Sequence, residues 1–157
     1  MSERPVILGP GEGETVQGPA GGPLAFKLRG AQSAGALTAF ENVIAPGDGP
    51  PMHTQEREGE SWYVLEGMLR FKLGGELREA PAGSFVHVPV GAPHCFQNTG
   101  DQPARILVLF TPAGMEAFFH RFAELPQGPV DPGVFAELGS EAGMTVLGPP
   151  LAISDPL

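Results

Sequence analysis

The chain has 157 residues with 23 glycines and 18 prolines, yet 41% of it is hydrophobic and only 17% charged, which excludes a disordered polymer and leaves one turn-rich folded domain. Nine Lys and Arg against eighteen Asp and Glu set the formal net charge at -9, so no nucleic acid and no anionic membrane surface is expected as a partner. Cys95 is the single cysteine, which excludes an internal disulfide and multi-cysteine metal sites; without a leader-like start or a membrane-length apolar run, a cytoplasmic protein is expected.

Three zones follow in chain order. Residues 1–35 read as an N-terminal arm of one or two strands: the apolar run Val6, Ile7, Leu8, a loop over 9–23, then alternation that puts Leu24, Phe26 and Leu28 on one face. Residues 36–112 hold short strands at 36–45, 61–66, 68–73, 76–79, 84–88, 94–97 and 105–110, separated by turn residues such as Gly74-Gly75, the pattern of an all-β barrel or sandwich. Positions 106–110 are all apolar, so both faces of that strand want a cover. In residues 113–157 the period changes to a helical one. Thr111 as N-cap and Pro112 at the first helical position open a helix carrying Met115, Phe118, Phe119, Phe122 and Leu125 on one face and ending near Pro126. A second, weaker helix spans about 131–143, followed by a short strand at 144–147, and this extension is expected to pack on the barrel because three Phe on one face call for a cover.

Chemistry concentrates in two stretches. On a strand, side chains two apart share a face, so His53 and Gln55 project together; Glu60 heads the next strand with Trp62 and Val64, and His94, Phe96 and Asn98 form a matching set. Donor groups from three strands would thus meet inside the barrel. The spacing of Gly47, His53, Glu60 and Gly67, and of Gly83, Pro89, Gly91, His94 and Asn98, resembles the two motifs of the cupin superfamily, G-x5-H-x-H-x4-E-x6-G and G-x5-P-x-G-x2-H-x3-N. Gln55 is the one departure, standing where the family's second histidine is expected. Flanking phrases, Trp62 to Gly67 among them, are similar to small bacterial monocupins of the quercetinase-like type.

The resemblance implies an all-β cupin jelly-roll barrel holding one divalent metal, with His53, Gln55, Glu60 and His94 as ligands. An amide oxygen is a poorer donor than imidazole for late first-row metals, which favours Fe or Mn among Fe, Mn, Ni, Co, Cu and Zn. Glu60 is the expected catalytic residue, taking a substrate proton, and Met52, Trp62, Phe71 and Phe96 are candidate lining of a substrate pocket or plain barrel filling. The implied activity is a metal-dependent dioxygenase on a small aromatic or enolisable substrate, the alternatives being a redox-neutral isomerase or lyase and a small-molecule-binding module. The apolar strand at 106–110 and the arm suggest a homodimer. Cys95 turns away from the ligands, His87 lacks ligand spacing, His120 beside Arg121 reads as solvent-facing, and Glu56, Arg57 and Glu58 read as a solvated charged loop.

Overall fold

The computed structural model describes residues 4–157. The arm comprises strands β1 (Thr15–Gln17) and β2 (Pro23–Leu28), and the central region β3 (Thr38–Ile44), β4 (Pro51–Gln55), β5 (Gly59–Glu66), β6 (Met68–Leu73), β7 (Glu76–Pro81), β8 (Phe85–Val88), β9 (His94–Asn98) and β10 (Ala104–Thr111). After them come helices α1 (Glu116–Ala123) and α2 (Pro132–Glu141), strand β11 (Met144–Pro150) and the short helix α3 (Leu151–Ser154). The strands form two antiparallel sheets in the orders β1-β2-β3-β10-β5-β8 and β11-β4-β9-β6-β7. Consecutive strands β3, β4 and β5 alternate between the sheets, which is how a jelly roll closes its interior.

Alternation explains which residues fill that interior. On β10, Ile106, Val108 and Phe110 point inward and are buried, while Leu107 and Leu109 on the outer face are only half-buried. This chain therefore covers one face of the apolar run at 106–110, not both. The β6–β7 hairpin forms at Gly74-Gly75 with Leu73 paired to Glu76, as the turn chemistry predicts. Gly67, between β5 and β6, has a φ of 94°, and a Cβ there would lie 2.9 Å from that of Ala104. Only glycine joins these strands without strain.

The arm extends the first sheet. β1 lies within the stretch expected as a loop, because pairing of Thr15 with Ala25 draws it straight, whereas Val6, Ile7 and Leu8 form no strand and are exposed. The first helix also begins later than its local signal. β10 continues through Thr111, paired to Gly59, so the chain is still extended where the Thr111-Pro112 signal places a helix start, and α1 opens at Glu116. The second helix starts as predicted: the Asp131 carboxylate accepts from the N–H groups of Gly133 and Val134, ahead of Pro132 as first residue.

The C-terminal segment packs on the barrel through aromatic rings. Phe119 sits 4.9 Å from Phe40 and 6.4 Å from Phe110, while Phe118 meets Phe135 of α2 at 5.7 Å. Burying Phe118 and Phe119 stabilises this docking by about 2 kcal/mol each. Glu116 ties the helix start to the arm and to β3, accepting from the Gly30 N–H at 2.6 Å and the Thr38 hydroxyl at 2.8 Å. These bonds outweigh its partial burial and hold its carboxyl below the usual range. β11 then pairs with β4 and closes the edge beside His53.

Candidate metal centre

His53 and His94 are directly opposite each other on β4 and β9, and Glu60 reaches them from β5 in the other sheet. Their ligating atoms all lie within 4.8 Å of one another, and all three side chains are buried. The ring centroids of the two histidines are 4.4 Å apart. Each ring is oriented by backbone: His53 Nδ1–H donates to the Pro51 carbonyl at 2.8 Å and His94 Nδ1–H to that of Ala92 at 2.9 Å. Both neutral rings then present Nε2 lone pairs to the interior, the orientation that metal-ligating histidines adopt when a carbonyl holds the other nitrogen.

His94 Nε2 stands 3.1 Å from Glu60 Oε1. A lone pair and a carboxylate at that distance repel each other unless a proton or a cation lies between them. Burial raises the Glu60 pKa, opposed by the His94 bond; at His94 burial pulls down, but the Glu60 hydrogen bond and charge outweigh it and leave its pKa raised. His53 has no carboxylate partner, and burial together with the neighbouring His94 charge lowers it to about 4 despite the Pro51 bond. A divalent ion fits this donor set. Gln55 follows on the same face of β4, and its Oε1 is buried without a hydrogen-bond partner, a free oxygen donor beside the histidines.

His53 and Glu60 of the cluster, with Gln55, line a cavity of about 1140 Å³. Trp62 and Phe96 line it, as the sequence suggests, but Met52 and Phe71 do not. Met52 lies between Pro51 and His53, both of which line the cavity, so strand alternation turns it away. Phe71 is barrel filling, its ring 5.2 Å from Trp62 and 5.4 Å from Phe96. Much of the remaining wall is apolar, and part of it comes from α1, α2 and the connection between them, so the helical extension borders the cavity as well as covering the barrel. No lysine or arginine is among the lining residues.

Other residues fall as follows. Glu58 is not in a solvated loop: it is buried at the head of β5, with Oε2 unpartnered and its pKa pushed up by burial to about 7. No local signal in a run of charges distinguishes the one that folds inward. Cys95 is buried, with burial pushing its thiol up to about 11. His87 is exposed beside the Ser61 hydroxyl, and half-buried His120 meets Glu14 at 2.7 Å and stacks on Phe26. Asn42, which no motif singles out, also lines the cavity with a buried, unpartnered Oδ1.

A double-sheet barrel with a His–Glu–His cluster beside a cavity defines a β-barrel able to hold a metal ion. A family profile described as a cupin domain matches residues 40–110. The fold of solved relatives agrees: KdgF from Halomonas sp. superposes with a TM-score of 0.64 at 18% identity, covering 73% of this chain and 99% of that one. An RmlC-like cupin from Shewanella frigidimarina gives 0.62 at 18% identity, covering 74% and 99%. The match to the cupin domain thus covers residues 40–110, and the fold of the chain is that of these cupin barrels. Among curated proteins it is 28% identical over 65 residues to the mannose-1-phosphate guanylyltransferase ManC of Salmonella typhimurium, covering 41% of this chain and 14% of that protein. With the polyketide synthase CurC of Streptomyces cyaneus it shares 30% identity over 82 residues, 51% of this chain and 53% of that protein. The chain thus spans a small fraction of the first relative and about half of the second. Among the described residues no helix is long and apolar enough to cross a membrane.

Proposed function

We propose that the protein is a metal-dependent dioxygenase of the quercetinase-like kind, acting on an uncharged aromatic or enolisable molecule. The observation that carries this reading is the two-histidine, one-carboxylate cluster opening into a largely aromatic cavity with no cationic side chain in its wall. A phosphorylated or carboxylate substrate would be desolvated there without a partner, which separates this chain from the guanylyltransferases it partly matches.

His53 and His94 would hold the ion through Nε2, Glu60 through its carboxylate and Gln55 through Oε1, an oxygen-rich set that favours iron or manganese. When bound, the metal supplies Lewis acidity and a meeting point for dioxygen. Glu60 accepts the proton of an enolic or phenolic hydroxyl at a carboxylate oxygen. Trp62, Phe96 and the rings of α1 exclude water from the bound molecule.

The test is oxygen uptake by protein loaded with iron, manganese, nickel or cobalt and offered a panel of flavonols and diketones, with metal content measured in parallel. Turnover with iron or manganese is expected; no turnover with any pairing overturns the reading. A redox-neutral isomerase or lyase acting on a polyketide-like molecule is the second reading, favoured by the likeness to the polyketide synthase CurC, and it predicts activity that survives removal of oxygen. A homodimer is proposed to cover Leu107 and Leu109, and light scattering of Leu109→Glu as a monomer would support it.

A further inference from the structure

The outer faces of the two sheets differ in kind. On the second sheet, alternation turns Arg70, Lys72, Glu79 and Gln97 outward, and the chain fastens its own C-terminal segment there, Asp155 accepting from Lys72 at 2.8 Å. On the first sheet the outward row pairs Leu107 with Tyr63 and Tyr63 with Phe85, and Leu109 follows on the same face. Tyr63 is 43% exposed and Phe85 64%. The charges around this row are Arg105, Glu41 and Glu66, and Arg105 binds both carboxylates, at 2.7 and 3.2 Å. β8 also ends the sheet, with one edge unpaired among the described residues. A solvated face of an antiparallel sheet is ordinarily polar, as the second sheet's is, so the first is built to meet another surface.

A second apolar feature is left open at the other end of the same sheet. Val6, Ile7 and Leu8 form no strand, and Ile7 is 95% exposed. The run leaves the sheet beside β2, where Leu8 stands by Gly13 and Gly13 packs on the Phe26 carbonyl. That edge is opposite β8 in the strand order. If two copies stack these outer faces about a twofold axis along the strands, the β1–β2 edge of each lies over the β8 edge of the other. The run of one copy then reaches Tyr63 and Phe85 of its partner, and both open features close together. The apolar part of the face, on β10, β5 and β8, projects roughly 240 Å² (about 14 by 17 Å), a fraction of the about 800 Å² per partner in stable interfaces. Stacked faces alone fall short, and an exchanged run adds apolar area at each end. Each chain carries a formal charge of -9, so contact between copies needs a face without strong repulsion, which the bridged Arg105 provides.

We infer that the Val6–Leu8 run of one copy docks on Tyr63 and Phe85 of a second copy, reciprocally, so that the two chains exchange arms. This rests on the homodimer reading above and adds the segment that holds the copies together. The arm divides its work along its length: β1 and β2 extend the sheet of their own chain, and the run ahead of them belongs to the partner's surface.

Sedimentation velocity across a concentration series gives the dimer dissociation constant of the full-length wild type and of a variant carrying Val6→Ser, Ile7→Ser and Leu8→Ser. These side chains are exposed in their own chain, so the variant keeps its fold, which thermal melting checks. Its dimer is expected to be at least about a hundredfold weaker, since the apolar contacts of both arms are lost. Placement is read by cross-linking. Cys95 is buried, so an introduced surface thiol has no competitor. Ile7→Cys protein is mixed and re-equilibrated with Phe85→Cys protein and treated with a short bismaleimide; a covalent dimer is expected in the mixture and in neither protein alone. A dimeric wild type whose dissociation constant survives the triple substitution, or a mixture that does not cross-link, overturns the arm exchange and leaves the homodimer standing. A wild type that stays monomeric at every concentration overturns both.

Discussion

The cavity has two kinds of wall, and they are built by different physics. At the cluster, each histidine is held by a backbone carbonyl two residues away, and Glu60 is braced against His94 at 3.1 Å. The opposite wall is made of phenylalanine rings on two short helices, Phe118, Phe122 and Phe135 meeting edge to face at 5.7 and 6.1 Å, with no polar anchor among them. Directional bonds set the position of the chemistry, and non-directional burial sets the shape around it. The ring wall is therefore the part that can change without disturbing the donors.

Breaking the cluster should have the largest effect. His94→Ala is expected to cut metal affinity at least about a hundredfold by elemental analysis after dialysis, since a lost ligand costs no less than a lost partner behind one. On the other wall, Phe119→Ala is expected to lower stability by about 3 kcal/mol in denaturant titration while metal content stays within about twofold, because Phe119 contacts Phe40 and Phe110 and no member of the cluster. Loss of metal in that variant would erase the distinction between the walls.

Acid should act on the two regions in separate windows. His53 has its folded pKa lowered to about 4 from 6.5, so it binds fewer protons folded than unfolded between those values. Stability of metal-free protein is present above pH 6.5 and falls by up to about 3 kcal/mol as the pH drops to 4. Glu116 is likewise lowered, from 4.5, so its contribution is present above pH 4.5 and is lost only as the pH falls further, releasing the start of α1 from Gly30 and Thr38. Denaturant titrations across pH 3 to 7 should show the first slope vanish in His53→Gln and the second diminish in Glu116→Gln. The smallest effect is expected from Gln55→His, which replaces an amide oxygen by imidazole and should raise nickel affinity about tenfold with little change in manganese affinity, read by competitive metal titration.

Much of the central barrel was legible because its signals are local. Strand β6, the Gly74-Gly75 turn and the Asp131 cap each depend on residues within a few positions, and the spacing of His53, Gln55, Glu60 and His94 survives in the folded site because strand alternation is a backbone property. The local helix signal at Thr111-Pro112 lost to pairing of Thr111 with Gly59, a contact between residues far apart in the chain. Met52 and Phe71 have the chemistry of pocket residues; alternation turns Met52 away, and for Phe71 only its position relative to the cavity removes it from the wall.

The amino-acid sequence by itself determined the chemistry: one barrel, four candidate donors in register on its strands and an aromatic helix to cover it. Tertiary structure alone decided which of those groups share a space. Glu58 was drawn inward from a charged run, and α1 and α2 became part of the cavity wall. The physical reason is that burial is a property of the assembled surface. A residue's type and spacing state which face it takes, but whether that face meets water, another sheet or a cavity depends on segments that reach it only when the chain folds.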